Sequence, residues 1–585
     1  MDFRKTFAVI AICVTLPSCD SKPYSTAFNL DFEYAADNKQ PTQWDMPDTP
    51  YHGYATSLDS GQKQHGTASL HMQQTDPDKS GWAIFSQTLP ASLVAGRDVE
   101  LSGWIKTRGV SDGFADLFIV EYEQVDYNKY PLDTLNRGVR NRAPWTRISL
   151  KKHIDEHTSG VEIGGILKGP GEAWFDNLEL TVDGKSFCDT LIPAPKIRLT
   201  REDKRELRKY VYPLRTFEPG DENREDLNVL DGLIGESPVV ALGENSHGSS
   251  EIYRMKERLI RYMAENMGFN IFSIEANMPE SYRMNTYTAA GKGDPKKLIA
   301  GMYFWTWNTQ EMLSLVEWMR VFNRSGRKIT YTGFDMQFSD ESVAILKTAF
   351  KDDKQAMQLL GDIDAALKKV LSYPSVGSLQ IDPRIAGNIE RVLPQLESRV
   401  DRLPADGSEK AWLRQNITLI RQFLGQGPLI WRDRCMAGNL LWIKRQNPSS
   451  RIVIWAHNGH IGKSGGMMGD ILQDSLGTDY VNFGFTFHDG KYTGIRRGCN
   501  KWDQDAQQAG PGTLEYLLGK LGEPMFILDL KKIREEQSPV LGWIDNLWFR
   551  HVGAVKIDNE FCDRGITDKF DYLIFINKSS PSHLL

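Results

Sequence analysis

The stretch 238-PVVALGENSHGSSE-251 passes from four apolar residues, Val239 to Leu242, directly to Gly243, Glu244, Asn245, Ser246 and His247. A short apolar run bounded by proline and glycine has the pattern of a strand buried on both faces of a sheet. A helical pattern follows: Ile252, Met255, Leu259 and Met263 fall on one stripe, with Ser250 as the expected N-cap and Glu251 in the first turn. Similar runs recur as FNIFSIE, KITYTGF, RIVIWA, YVNFGFTF, MFILDL and YLIFIN, separated by helical patterns. Together they predict an α/β domain over 200–585, with a parallel or mixed sheet covered by helices. Residues 340–447 are mostly helical in pattern and read as an insertion or cap.

In such sheets ligands bind beyond the carboxyl ends of the strands, where helix N-termini point unpaired amides. The strand exits carry Glu244 and His247, then Glu275, then Asp335, then His457 and His460. Any one of these has a structural explanation, as a helix cap or a satisfied core group. Four strands ending in ionisable groups on one side of a sheet form a set of acid, base and orienting carboxylate, which points to a catalytic cleft.

Residues 25–187 have a different grammar. Segments such as ASLHMQQ, GWAIFSQTL, DVELSGWIKTR, ADLFIVEYEQ, WTRISLKKH, VEIGGILKG and EAWFDNLELTV alternate apolar and polar residues between turn signals. They predict an antiparallel β-sandwich, and the pattern resembles jelly-roll modules that accompany carbohydrate-active enzymes. Trp82 and Tyr127 are candidates for stacking on a glycan, although tryptophan in a sandwich is more often core. The first residues carry Arg4 and Lys5, an apolar run from Phe7 to Leu16 and then LPSC. This predicts a lipoprotein-type signal over 1–18, lipidation of Cys19 and an anchor in a bacterial cell envelope. Removing Cys13 and Cys19 leaves Cys188, Cys435, Cys499 and Cys562, too few for a disulfide-built scaffold; a Cys499–Cys562 bridge is one of several pairings left open. A net charge of -6 and the lack of basic runs interleaved with aromatics disfavour nucleic-acid binding.

Two motif matches are set aside. GKSGG at 462–466 fits the GxSxG pattern, but a nucleophile elbow follows its strand at once, and the strand here ends near Trp455. HNGHIGKS ends like a phosphate loop but begins with His457 where a glycine belongs. His457 and His460, three apart, have a spacing that ligates metals, and His247 with a glutamate would complete a set. No HExxH helix or aspartate-rich loop accompanies them, so no metal or other cofactor is expected.

Six blocks in order, ALGENSHGSSEIYRMKERLIRYMAENMGFNIFSIEAN, FWTWNTQEMLSLVEWMR, ITYTGFDMQ, WRDRCMAGNLLW, IVIWAHNGHI and FDYLIFINKSSP, resemble the erythromycin esterase family from about Glu202 to the C-terminus. The resemblance implies a hydrolase that opens a macrolide lactone with activated water and without an acyl-enzyme. It places the family's catalytic histidine on His247 beside Glu244, the paired glutamate on Glu275 and the later histidines on His457 and His460. It further suggests substrate contacts from Lys256, Arg258, Trp305 and Asp335. The family often has arginine where this chain has Lys256, with Arg254 and Arg258 flanking it.

The chemistry of the residues agrees. Ester hydrolysis by water needs a base near neutral pKa, which selects His247, with Glu244 or Glu275 to fix its tautomer. His457 or His460 would then serve the oxyanion or the leaving alkoxide. The expected substrate is a small-molecule ester or lactone. Alternatives are a metal-dependent esterase, one directed to acylated glycans by the sandwich, and a non-catalytic envelope binding protein.

Overall fold

A computed structural model describes residues 28–33, 41, 44, 46, 53–77, 81–90, 94–121, 138–156, 158, 160–186, 196–371, 381–425, 429–495, 502–557 and 560–585. The expected signal, Cys19, Tyr127, Cys188 and Cys499 lie outside these residues.

The described N-terminal strands are β1 (Tyr54–Asp59), β2 (Ser69–Gln74), β3 (Trp82–Pro90), β4 (Asp98–Glu121), β5 (Val139–His153), β6 (Gly160–Lys168), β7 (Glu172–Val182) and β8 (Lys185–Ser186). They pair antiparallel in the order β1-β2-β7-β4-β6-β3, with β5 on β4 and β8 on β7. The two segments DVELSGWIKTR and ADLFIVEYEQ, read above as separate, lie on one strand. β4 pairs with β7 through Val99–Arg108 and with β6 through Phe114–Glu121. β5 follows it across the intervening glycines through a series of bulges, which bend the strand without ending it. The two halves of the sheet fold over a common core in which Phe85, Leu101, Ile105, Leu117, Ile163 and Phe175 meet. Trp82 packs against the Ile84, Phe114 and Phe118 cluster.

The second sheet contains β9 (Val211–Pro213), β10 (Val239–Leu242), β11 (Phe269–Asn277), β12 (Thr330–Asp335), β13 (Arg451–Trp455), β14 (Tyr480–Thr493), β15 (Asp503–Asp505), β16 (Met525–Asp529) and β19 (Tyr572–Ser579). Its order is β12-β11-β13-β10-β14-β19-β16-β9, with β15 on β14. Pairing is parallel from β12 to β19 and antiparallel at β16 and β9, so the sheet is mixed. β10 explains its unbroken apolar sequence: Val240 and Leu242 enter the core on one face of the sheet, and Val239 and Ala241 enter the core on the other.

The helix Ser250–Asn266 buries the expected stripe of Ile252, Met255, Leu259 and Met263. Its N-cap is Ser249, whose hydroxyl accepts from the Ile252 N–H, while Ser250 donates instead to Glu311 at 2.6 Å. The cap therefore stands one residue before the expected position. Between Asp340 and Gln446 the described elements are helices, with a core of their own around Leu346, Leu360, Leu396 and Ile417. The last of them, Leu429–Gln446, turns Met436 and Leu440 onto the sheet beside Ile452. Near the C-terminus β17 (Phe549–Arg550) and β18 (Phe561–Asp563) form a two-stranded ribbon, and β18 lies against β3 of the sandwich. Cys435 is a buried thiol. No described helix is long and apolar enough to cross a membrane.

Candidate active site

β12, β11, β13 and β10 are consecutive neighbours and all parallel, so their carboxyl ends stand side by side. This register brings Asp335, Glu275, His457 and the Glu244–His247 turn together although up to about two hundred residues separate them. Gly243 makes the first turn possible by close approach, since a Cβ there would stand 2.1 Å from Asn458 Oδ1. Asn458 in turn laces the β13 exit to β14 through both main-chain groups of Phe485.

Glu244 is fully buried. One carboxylate oxygen lies 2.7 Å from His247 Nδ1; the other accepts from Lys256 Nζ at 2.7 Å and from the Trp455 indole at 2.8 Å. With Nδ1 held, His247 keeps Nε2 for chemistry, the arrangement of a carboxylate-oriented imidazole base. Lys256 Nζ also lies over the Trp455 ring, 4.3 Å from its centroid. Burial pulls this ammonium down to about 8 against the opposing pull of Glu244.

A second polar cluster adjoins the first. Arg432 Nη2 donates to Glu275 Oε1 at 2.8 Å and to Asp335 Oδ2 at 2.7 Å. His460 lies between two carboxylates, with Nδ1 2.8 Å from Asp433 and Nε2 3.2 Å from Glu275. Burial alone would lower His460, but Asp433 and Glu275 outweigh it and raise the ring to about 10. Glu275 is held well below the usual carboxylate range, because His460 and Arg432 overcome the opposite effect of burial. Nε2 of His460 is also 3.0 Å from Arg432 Nη1. A guanidinium only donates, so that contact is a hydrogen bond only for the neutral ring; the protonated ring donates to Glu275 instead. Three carboxylates around two cations accommodate the protonated form.

His457 bridges the clusters. Its main-chain N–H donates to Glu275 Oε2 at 2.8 Å, and its ring centroid is 5.1 Å from that of His247 and 6.4 Å from that of His460. Nδ1 accepts from the Gly459 N–H, so the ring hydrogen resides on Nε2, which is buried without a hydrogen-bond partner among the described residues. Burial, together with His551 and His247, keeps this imidazole well below its ordinary pKa and therefore neutral. His457 is thus a fixed N–H donor facing the site. Gly553, at φ +82°, lies beside it: a Cβ there would stand 4.0 Å from Nε2, an ordinary contact distance.

Of the residues expected to touch substrate, Asp335 is fully buried and locked to Arg432. Lys256 and Arg258 have no surface to offer: one is paired with Glu244, the other grips Asp226 through both Nη atoms. Trp305 is partly exposed, with its ring 5.3 Å from that of Trp502. Two residues on, the Trp307 ring stands 5.8 Å from His247 and its indole donates to the Glu275 carbonyl. Arg432 and Asp433 were not singled out from the sequence, although RDR opening an otherwise apolar helical pattern was a visible signal. His551, whose ring is 4.8 Å from that of His457, comes from a loop with no such signal.

Residues 264–579, more than half of the chain, match the erythromycin esterase family. The chain belongs to the erythromycin esterase family. The matched span holds Glu275, Arg432, His457, His460 and His551 and begins after Glu244 and His247, later than the expected start near Glu202. The chain is 24% identical over 413 residues to the erythromycin esterase type II of Escherichia coli, across 62% of this chain and 95% of that protein. It is 21% identical over 359 residues to a putative hydrolase of Bacillus subtilis, across 54% and 79%. Among solved structures, a succinoglycan biosynthesis protein superposes with a TM-score of 0.56 at 25% identity, covering 65% of this chain and 98% of that one. A mutant of the erythromycin esterase EreC in its open conformation gives 0.51 at 16% identity, covering 64% and 99%. Membership in the erythromycin esterase family supports hydrolase activity of that type.

Proposed function

We propose that this protein cleaves a carboxylic ester or macrolide lactone by direct attack of water, with His247 as general base. The observation that carries this reading is the placement of a carboxylate-held imidazole, His247, with its ring centroid 5.1 Å from that of His457, whose Nε2 has no hydrogen-bond partner among the described residues. Water bound at His247 Nε2 gives up its proton as its oxygen attacks the acyl carbon, and the developing oxyanion meets His457 Nε2–H. Preorganised donation of this kind is worth roughly 100-fold to 1,000-fold per donor. The His460–Arg432 pair holds Glu275, whose other carboxylate oxygen in turn holds the main-chain N–H of His457. The reading of the N-terminal sequence adds an envelope location through Cys19 and, for the sandwich, contact with a glycan.

A mass-spectrometric screen of macrolides, simple esters and acylated sugars tests the reaction class. Gain of one water by a lactone, or cleavage of an ester into its acid and alcohol, dependent on protein with intact Glu244, is the expected result. Failure of every ester and lactone to be hydrolysed, or capture of a ligand without turnover, would contradict it.

A further inference from the structure

Each of the four clustered histidines has a different freedom to move a proton. His247 is bound at one nitrogen and open at the other. His457 is neutral and donates from Nε2 only, so it has no second proton to give. His460 has both nitrogens engaged by carboxylates, which keep its proton. His551 is the exception: neither ring nitrogen has a hydrogen-bond partner among the described residues, and the nearest carboxylate oxygen, on Asp563, is 3.9 Å from Nδ1. Its side chain is 35% exposed, against 12% for His247 and 10% for His460, so solvent can reprotonate it.

The fold places this ring with care. The main chain of 551–553 is bound to the catalytic turn: the Val552 N–H donates to the Asn245 carbonyl at 2.9 Å, and the His247 N–H donates to the Gly553 carbonyl at 3.2 Å. Underneath, Arg550 forms a fully buried ion pair with Glu560, which also receives Lys556 and the Tyr492 hydroxyl. Arg550 further donates to the carbonyls of Phe487, His488 and Gln507. Gly459 completes the fit, since a Cβ there would stand 3.2 Å from His551 Cε1. Such a network fixes the loop that starts at His551, directly after β17, against both the His247 turn and the His457 turn.

We propose that His551 is a further catalytic residue of the hydrolysis, the general acid that protonates the leaving alkoxide; this rests on the hydrolytic reading above. Water oxygen bonds to the acyl carbon as His247 takes one proton and the carbonyl electrons move to oxygen. On collapse the bond to the alkoxide oxygen breaks, its electron pair leaves with that oxygen, and the proton of the His551 imidazolium follows. The carboxylic acid then ionises, His247 returns its proton to solvent and His551 takes one back, so ester and water give carboxylate, alcohol and one proton. Desolvation by the surrounding loops, opposed by Asp563 and reinforced by Lys569, His460 and His247, lowers this ring from the ordinary imidazole value. That makes its protonated form a better acid than His460.

Leaving-group dependence tests the role, because p-nitrophenolate departs without a proton and an alkoxide does not. Full-length wild type, His551→Gln and His551→Asn are assayed on p-nitrophenyl butyrate and ethyl butyrate, with thermal midpoints as the folding control. The expected result is a fall of about 100-fold in the ethyl-to-nitrophenyl ratio of kcat/KM in a folded variant. The alkaline limb of the ethyl ester pH profile should be lost with it. Equal losses on both esters, or no loss, would overturn the role while leaving the hydrolytic reading standing. A wild type that hydrolyses these two esters and every ester and lactone of the screen at no measurable rate would overturn the hydrolytic reading and the role together.

Discussion

A lysine without solvent is stable only beside a carboxylate, and Lys256 has Glu244. The pair works through His247, because the Glu244 carboxylate that Lys256 grips is what lies against Nδ1. Lys256→Met therefore leaves a buried carboxylate uncompensated, and the expected cost is about 3–5 kcal/mol in denaturant unfolding, with reduced turnover at neutral pH. Unchanged stability would mean that the ammonium contributes nothing to Glu244. His460 gives a pH-dependent prediction. Its folded value of about 10 lies above the unfolded value near 6.5, so the native state binds the extra proton between them. This stabilisation is complete below about 6.5 and is lost as pH rises towards 10. The loss is up to about 5 kcal/mol, shared with Glu275 and Asp433. Urea midpoints near pH 6 and pH 9 should show a decline in wild type that His460→Gln lacks; parallel declines would refute the assignment.

At the scale of elements, the strand exits of the α/β sheet were readable because a doubly covered parallel strand leaves an unbroken apolar run, as in Val239–Leu242, and the polar residues after it stand out. Which exits are neighbours was not readable, since β13 enters between β11 and β10 from nearly two hundred residues away. The strands β9, β15, β17 and β18, two or three residues each, carry no periodicity to detect. This is why His551 was missed: it follows the two-residue strand β17. The family resemblance suggests Lys256 and Arg258 as substrate contacts, but sequence does not reveal burial, and both side chains are fully buried. Gly553 offers a test of the element that brings these groups together. Alanine at a φ of +82° is strained by about 1–2 kcal/mol, and its methyl would stand against His457 Nε2. Gly553→Ala should lower kcat/KM at least about tenfold with a modest loss of thermal midpoint. An unaltered rate would place the reacting carbonyl elsewhere.

Across the whole molecule, the sandwich and the α/β domain meet at the ribbon that carries His551. The Arg564 guanidinium lies 3.6 Å from the centroid of Trp548 and 4.7 Å from that of Phe28, a residue of the sandwich core. Each such contact is worth about 0.5–2 kcal/mol. Arg564→Ala should therefore reduce thermal stability and turnover together. Lower stability with wild-type turnover would make the sandwich a tether alone. The central claim concerns convergence: residues from distant parts of the chain surround one imidazole at position 247 that takes the proton of water. The most direct measurement is the rate of ester cleavage by His247→Gln beside wild type under identical conditions. A fall of at least about 100-fold in kcat, with the variant folded, is the predicted result. A variant cleaving within a few-fold of wild type would contradict the account.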